Sequence, residues 1–180
     1  MPILHSDPFI ARTQLNAALP NVEDLPYVTS QILNYQTKRS VATDLRTSTS
    51  WQDDGSLQWL SQAMLDKIAK DFGDEYQLNC CEPLIISRYE RNQYYASHVD
   101  YWPTANPRCA TAMLYLNDGF LGGNTYFDLL DITVRPQAGT LLYWTYPEAS
   151  ATAPLTQHVG MNVVGGIKYI ATLWIRTQPI

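Results

Sequence analysis

His98-Val99-Asp100 is the stretch whose residue types and spacing could do chemistry. Residues i and i+2 of an extended chain project from the same face, so one rigid segment can offer an imidazole and a carboxylate to a single cation. A third donor must come from elsewhere. Of the two other histidines, His5 lies near the start in a stretch expected to be loose, whereas His158 follows a Pro-containing loop and precedes the last strand-like run. Two imidazoles and one carboxylate on one face of an ion suit Fe(II) and leave three positions open. Taken alone, His-x-Asp is more often a hydrogen-bonded surface pair than a metal clamp. Lys168, ten residues beyond His158, adds a second signal, because no Asp or Glu occurs after Glu148. A buried ammonium needs an anion, and a ligand carboxylate could supply it.

These side chains must be held by strands. From Pro83 onward, β-prone runs separated by turn residues span Leu84 to Glu90, Tyr94 to His98, Arg108 to Leu116, Asn124 to Phe127, Ile132 to Val134, Thr140 to Trp144 and Lys168 to Arg176. The last run sorts by the two-residue period into an apolar face (Tyr169, Ala171, Leu173, Ile175) and a mixed face (Lys168, Ile170, Thr172, Trp174, Arg176). A polar face that carries an indole fits the wall of a polar cavity better than bulk water. Upstream, Leu57, Leu60, Met64, Ile68 and Phe72 recur at helical spacing, with Ser56 as the expected cap and Gly73 as the stop. A weaker helix is expected from Val22 to Tyr35, fraying at Pro26, and Leu45 to Trp51 reads as a strand or extended loop. The fold class is α+β and mostly antiparallel, a sandwich or jelly roll with the leading helices on one outer face. One domain is expected over residues 1–180, with 1–82 as helical support and 83–180 as the core.

The chain of 180 residues is 46% apolar, 12% aromatic and 16% charged, a globular composition. A net charge of −5 gives no electrostatic footprint for nucleic acid. The longest apolar run, Ala112 to Leu116, is far short of the ~20 residues that span a bilayer, so no membrane partner is expected. Cys80, Cys81 and Cys109 make neither a disulfide framework nor a CxxC site, and the opening lacks a secretory leader. A cytoplasmic location is the expectation.

Arg88 to Arg176, about half the chain, resembles the catalytic core of prolyl 4-hydroxylases and related 2-oxoglutarate and Fe(II)-dependent dioxygenases. The shared motifs run in order: Tyr89 to Asp100, containing Gln93-Tyr94 and His98-Val99-Asp100; Arg108 leading to Tyr115-Leu116-Asn117-Asp118; Gly122-Gly123-Asn124-Thr125-Tyr126-Phe127; and Val134 to Trp144 with Pro136 and Gly139. His158-Val159-Gly160 and Gly166-Ile167-Lys168 complete the set, and Arg46-Thr47-Ser48 is similar to an upstream Arg-Thr-Ser segment of the family. Asn92 stands where the family usually has Gly, which a left-handed backbone would tolerate, and Arg176 replaces a frequent His.

The resemblance implies a double-stranded β-helix with the metal inside. It assigns His98, Asp100 and His158 to Fe(II), and Lys168, Tyr89, Thr172 and Tyr115 to 2-oxoglutarate. Tyr95, Arg108, Trp174 and Arg176 fall at the mouth, as substrate-binding residues. Oxidative decarboxylation of 2-oxoglutarate to succinate and CO₂, with O₂ consumed and ascorbate as reductant, would be coupled to hydroxylation of an unactivated C–H bond. Related halogenases carry a small residue at the position of Asp100, so its presence implies hydroxylation. The implied substrate is a prolyl residue in a peptide or protein. A free amino acid or small natural product is the alternative, and a noncatalytic jelly-roll binding module a more distant one.

Overall fold

The computed structural model describes residues 4–19, 21–34, 39–72, 76–101, 103–146 and 153–180. In chain order the strands are β1 (Leu4–Pro8), β2 (Val28–Thr29), β3 (Ile32–Asn34), β4 (Arg39–Val41), β5 (Thr49–Gln52), β6 (Ile85–Tyr89), β7 (Tyr95–His98), β8 (Arg108–Tyr115), β9 (Leu121–Gly122), β10 (Thr125–Phe127), β11 (Ile132–Val134), β12 (Thr140–Thr145), β13 (His158–Gly160), β14 (Val163–Gly165) and β15 (Lys168–Arg176). Two α-helices, α1 (Arg12–Ala18) and α2 (Gln58–Phe72), precede β6.

A seven-stranded sheet runs β1-β12-β8-β15-β6-β5-β2 and a four-stranded sheet runs β11-β10-β13-β7. Strand pairing within both is antiparallel throughout. This is the expected jelly roll, a double-stranded β-helix. Period-two alternation lets the large sheet serve two cores. On its outer face Leu60, Met64, Leu65 and Ile68 of α2 pack with Leu84, Ile86, Ala112, Leu114, Ala171, Leu173 and Ile175. Between the sheets lie Met113, Tyr115, Phe127, Leu142, Trp144, Val163 and Ile170.

The first third of the chain departs from the sequence expectation in several places. No helix spans Val22 to the described end at Asn34, and Tyr35 lies outside the described residues: Val22–Asp24 makes one 3₁₀ turn, after which β2 and β3 follow. Leu25, held extended at φ −63° and ψ 146°, shows the cause, since the ring of Pro26 disfavours helical backbone in the residue before it. A helix forms instead at α1, which is only seven residues long and too short to display a periodic stripe. Just before α2 the Asp53 carboxylate accepts the Leu57 N–H at 3.0 Å and the hydroxyl of Ser56, the expected cap, at 3.2 Å. The expected stop at Gly73 lies outside the described residues. His5 is not in a loose end, because β1 pairs with β12 and its imidazole stacks on Tyr143 at 5.1 Å. Asn92 does adopt a left-handed backbone, φ 67°.

Candidate active site

Antiparallel pairing of β13 with β7 sets His158 opposite His98. Their ring centroids are 4.2 Å apart, and Asp100, two residues on, brings Oδ1 to 3.6 Å from His98 Nε2. One donor atom from each of the three lies within 4.8 Å of the others. His98 Nδ1 is 2.8 Å from the Ala96 carbonyl and His158 Nδ1 is 2.9 Å from that of Thr156. A carbonyl only accepts, so each Nδ1 carries a proton and Nε2 is the ring nitrogen left for a metal. Tyr95 stacks on His98 at 3.5 Å and 15°, and Trp144 meets His158 edge-on at 4.9 Å. Burial, reinforced by His158, holds His98 far below the usual imidazole range. Burial would by itself raise the Asp100 carboxyl, but the His158, His98 and Arg108 charges outweigh it and keep the group ionised. Two imidazoles and a carboxylate, all converging, fit a divalent iron.

These residues line an open cavity shared with Lys168, Tyr89, Thr172, Tyr95 and Trp174. Lys168 is 2% exposed, and no carboxylate pairs with it among the described residues. Its Nζ donates to the Gly123 carbonyl at 2.6 Å and lies 5.5 and 5.6 Å from the Tyr89 and Tyr115 ring centroids. Desolvation pushes this ammonium down to about 7. Gly123 makes the approach possible: at φ +66°, a Cβ there would stand 3.1 Å from Lys168 Cδ and 2.9 Å from the Phe120 ring. A buried cation with spare donors, flanked by a threonine, fits a ligand carboxylate.

Three expected positions differ. Tyr115 does not line the cavity; it is fully buried and its hydroxyl donates to Thr125 Oγ1 at 2.8 Å, so Thr125 forms the wall there. Arg108 and Arg176 do not line it either. Glu82 accepts from Arg108 Nε at 2.7 Å and Nη2 at 2.8 Å, and from Arg176 Nη2 at 2.8 Å. Arg108 Nη1 also donates to the Asp100 carbonyl at 3.2 Å, and its guanidinium lies 4.0 Å from the Trp174 ring centroid. Arg108, expected to grip substrate, therefore braces Asp100 and Trp174 from outside the cavity, while Arg176 is held by Glu82 and donates from Nη1 to the Asn106 carbonyl at 2.6 Å. Trp174 Nε1 is itself buried, and its interaction with the Asp100 carboxyl helps to hold that group low. Sequence reasoning missed Glu82 and the positions of Thr125 and Arg46 on the cavity wall; Arg46 had a signal in the Arg-Thr-Ser segment and Thr125 in the Gly122-to-Phe127 motif, whereas Glu82 had none.

Fold and site together define a jelly-roll protein with a two-imidazole, one-carboxylate centre beside a buried cation. Residues 84–176 match the model of the 2OG-Fe(II) oxygenase superfamily, and the chain belongs to that superfamily, whose cofactors are Fe(II), 2-oxoglutarate and O₂. The chain is 27% identical over 177 residues to Prolyl 4-hydroxylase 1 of Arabidopsis thaliana, covering 83% of this chain and 60% of that one. It spans about half the length of the curated relatives it matches. In fold it is similar to the viral collagen prolyl hydroxylase of Paramecium Bursaria Chlorella virus-1, solved as a 2OG complex (TM-score 0.68, 21% identity, 97% of this chain and 96% of that one). A prolyl hydroxylase of Trichoplax adhaerens, solved with a hypoxia inducible factor peptide fragment, is also similar (TM-score 0.71, 18% identity, 97% and 82%).

Proposed function

We propose that the chain is a 2-oxoglutarate- and Fe(II)-dependent hydroxylase of prolyl residues in a peptide or protein. The observation that carries this is the convergence, in one cavity, of His98, Asp100 and His158 with a buried Lys168 that has no carboxylate partner among the described residues. His98, Asp100 and His158 would hold the iron. When bound, the metal with its cosubstrate supplies the oxidising chemistry, turning 2-oxoglutarate and O₂ into succinate, CO₂ and one hydroxyl on the substrate. Lys168 would bind the distal carboxylate of 2-oxoglutarate by a charge-assisted hydrogen bond, strong in so dry a place. Tyr89 and Thr172 flank that anchor, Thr172 supplies a hydroxyl at the wall, and Tyr115 supports it from behind through Thr125. Tyr95 and Trp174 give the aromatic walls on which a pyrrolidine ring can pack and from which water is excluded. Among the described residues no helix is long and apolar enough to cross a membrane. Cys80, Cys81 and Cys109 stand outside any disulfide, which suits a reducing cytoplasmic compartment, with ascorbate keeping the iron reduced.

Succinate release from 2-oxoglutarate, measured with Fe(II), ascorbate and proline-rich peptides, tests the reading. Stimulation by a prolyl peptide is expected, together with a hydroxyl oxygen that derives from O₂. His98→Ala should reduce both succinate release and Fe(II) binding to background while the fold persists; full turnover in that variant would remove His98 from the centre.

A further inference from the structure

Arg46 is 8% exposed, and its guanidinium lies on the wall of the same cavity. Its Nε donates to Ser48 Oγ at 3.2 Å and its Nη2 to Ser87 Oγ at 2.9 Å, while Nη1 has no hydrogen-bond partner among the described residues. No carboxylate pairs with it there either. Arg108 and Arg176 differ in both respects, since Glu82 occupies them and neither reaches the cavity. A guanidinium cannot shed its charge when buried, so the usual escape of a desolvated base is closed to Arg46. Asp100 is the one carboxylate among the lining residues. With iron and the cosubstrate dianion cancelling each other and Lys168 offsetting Asp100, the charge of Arg46 is left over.

Placement narrows what could answer it. The segment of Arg46 is strapped along β7: Arg46 bridges to Tyr95, the Ala96 N–H donates to the Leu45 carbonyl at 2.7 Å, and the Thr47 N–H donates to that of Tyr94 at 3.1 Å. The guanidinium carbon sits 4.8 Å from the Tyr95 ring centroid, and the same ring stacks on His98. A group held by Arg46 therefore lies one aromatic ring away from an iron ligand. Resting on the hydroxylase reading above, we infer that Arg46 anchors the substrate to be hydroxylated by donating from Nη1 to one of its sp² oxygens. That oxygen is either the main-chain carbonyl of a prolyl residue or the carboxylate of free proline. Tyr95 positions this anchor and lends the flat surface beside it.

Calorimetric titration of the full chain loaded with Co(II), in the absence of O₂, tests the inference. 2-Oxoglutarate is added first, then either a proline-rich peptide with acetylated and amidated ends or free L-proline. Loss of a charge-assisted hydrogen bond predicts that Arg46→Met weakens one of these two ligands by about 10- to 100-fold, with the affinity for 2-oxoglutarate changed less than about threefold. Loss confined to the blocked peptide identifies a carbonyl, and loss confined to free proline a carboxylate; either supports the anchor. Arg46→Lys keeps the buried charge but not the fork, so it should fold and bind the same ligand with intermediate affinity. If both variants bind peptide and proline as the wild type does, or lose 2-oxoglutarate in equal measure, the anchor is overturned. A wild-type chain that takes up neither Co(II) nor 2-oxoglutarate would instead sink the hydroxylase reading itself.

Discussion

Strand β15 faces two regions built on opposite physics. Tyr169, Ala171, Leu173 and Ile175 point outward into a dry apolar layer closed by α2, whereas Lys168, Ile170, Thr172 and Trp174 point inward and line the cavity. On the outer side burial is favourable for almost every atom. On the inner side the fold buries Lys168, Arg46 and Asp100, each nine-tenths or more out of solvent. Charge buried without a partner destabilises a protein, so the outer layer must offset what the cavity costs. One strand thus joins a region that stabilises the fold to a region that uses that stability.

The comparison breaks most visibly on the outer face. Leu173 is fully buried there, and Leu173→Ala removes apolar contact and leaves a cavity, which costs about 2–5 kcal/mol. Chemical denaturation should show this loss while the folded fraction binds metal with wild-type affinity. A changed metal affinity at full stability would mean that the two faces are coupled rather than separable. The inner face predicts the reverse pattern. Lys168→Met keeps the stem and removes a desolvated ammonium that pairs with no carboxylate among the described residues, so the melting temperature should rise. Affinity for 2-oxoglutarate should fall by about 10- to 100-fold with Fe(II) still bound. Unchanged cosubstrate affinity would end the assignment of Lys168 as the anchor.

What the sequence made legible follows the same division. Both faces of β15, the α2 stripe and the His98/Asp100 pair depend on spacings of two to four residues, and the chain displays them directly. His158 joins that pair through strand register across 60 residues, which the motif order pointed to and the β13–β7 pairing delivers. Glu82 was invisible, because only the folded sheet brings one carboxylate against guanidiniums from both β8 and the end of β15. That one contact took Arg108 and Arg176 off the cavity wall. Arg46 was readable as a motif but not as a wall residue, since its hydrogen bond to Ser87 spans 41 positions. Pro26 shows the converse: the residues from Val22 onward carry a helical pattern, yet a single ring forces the preceding backbone to extend.

The gentlest probe of the inner face is pH. Desolvation holds the ligand-free Lys168 at about 7, against 10.5 for an ordinary lysine. Between those values the folded chain binds fewer protons than the unfolded one, so this group makes stability rise with pH across that window and contributes its full penalty below 7. Binding of a carboxylate reverses the preference and draws a proton onto Nζ. Above pH 7 the cosubstrate must therefore bring a proton with it. Its apparent affinity should fall about fivefold between pH 7 and pH 8 and more steeply beyond, whereas it should be nearly flat below pH 6. Calorimetry in buffers of different ionisation enthalpy, at pH 8, should detect uptake of close to one proton per 2-oxoglutarate bound. The Lys168→Met variant should show none, so a proton uptake that survives this substitution would place the titrating group elsewhere in the cavity.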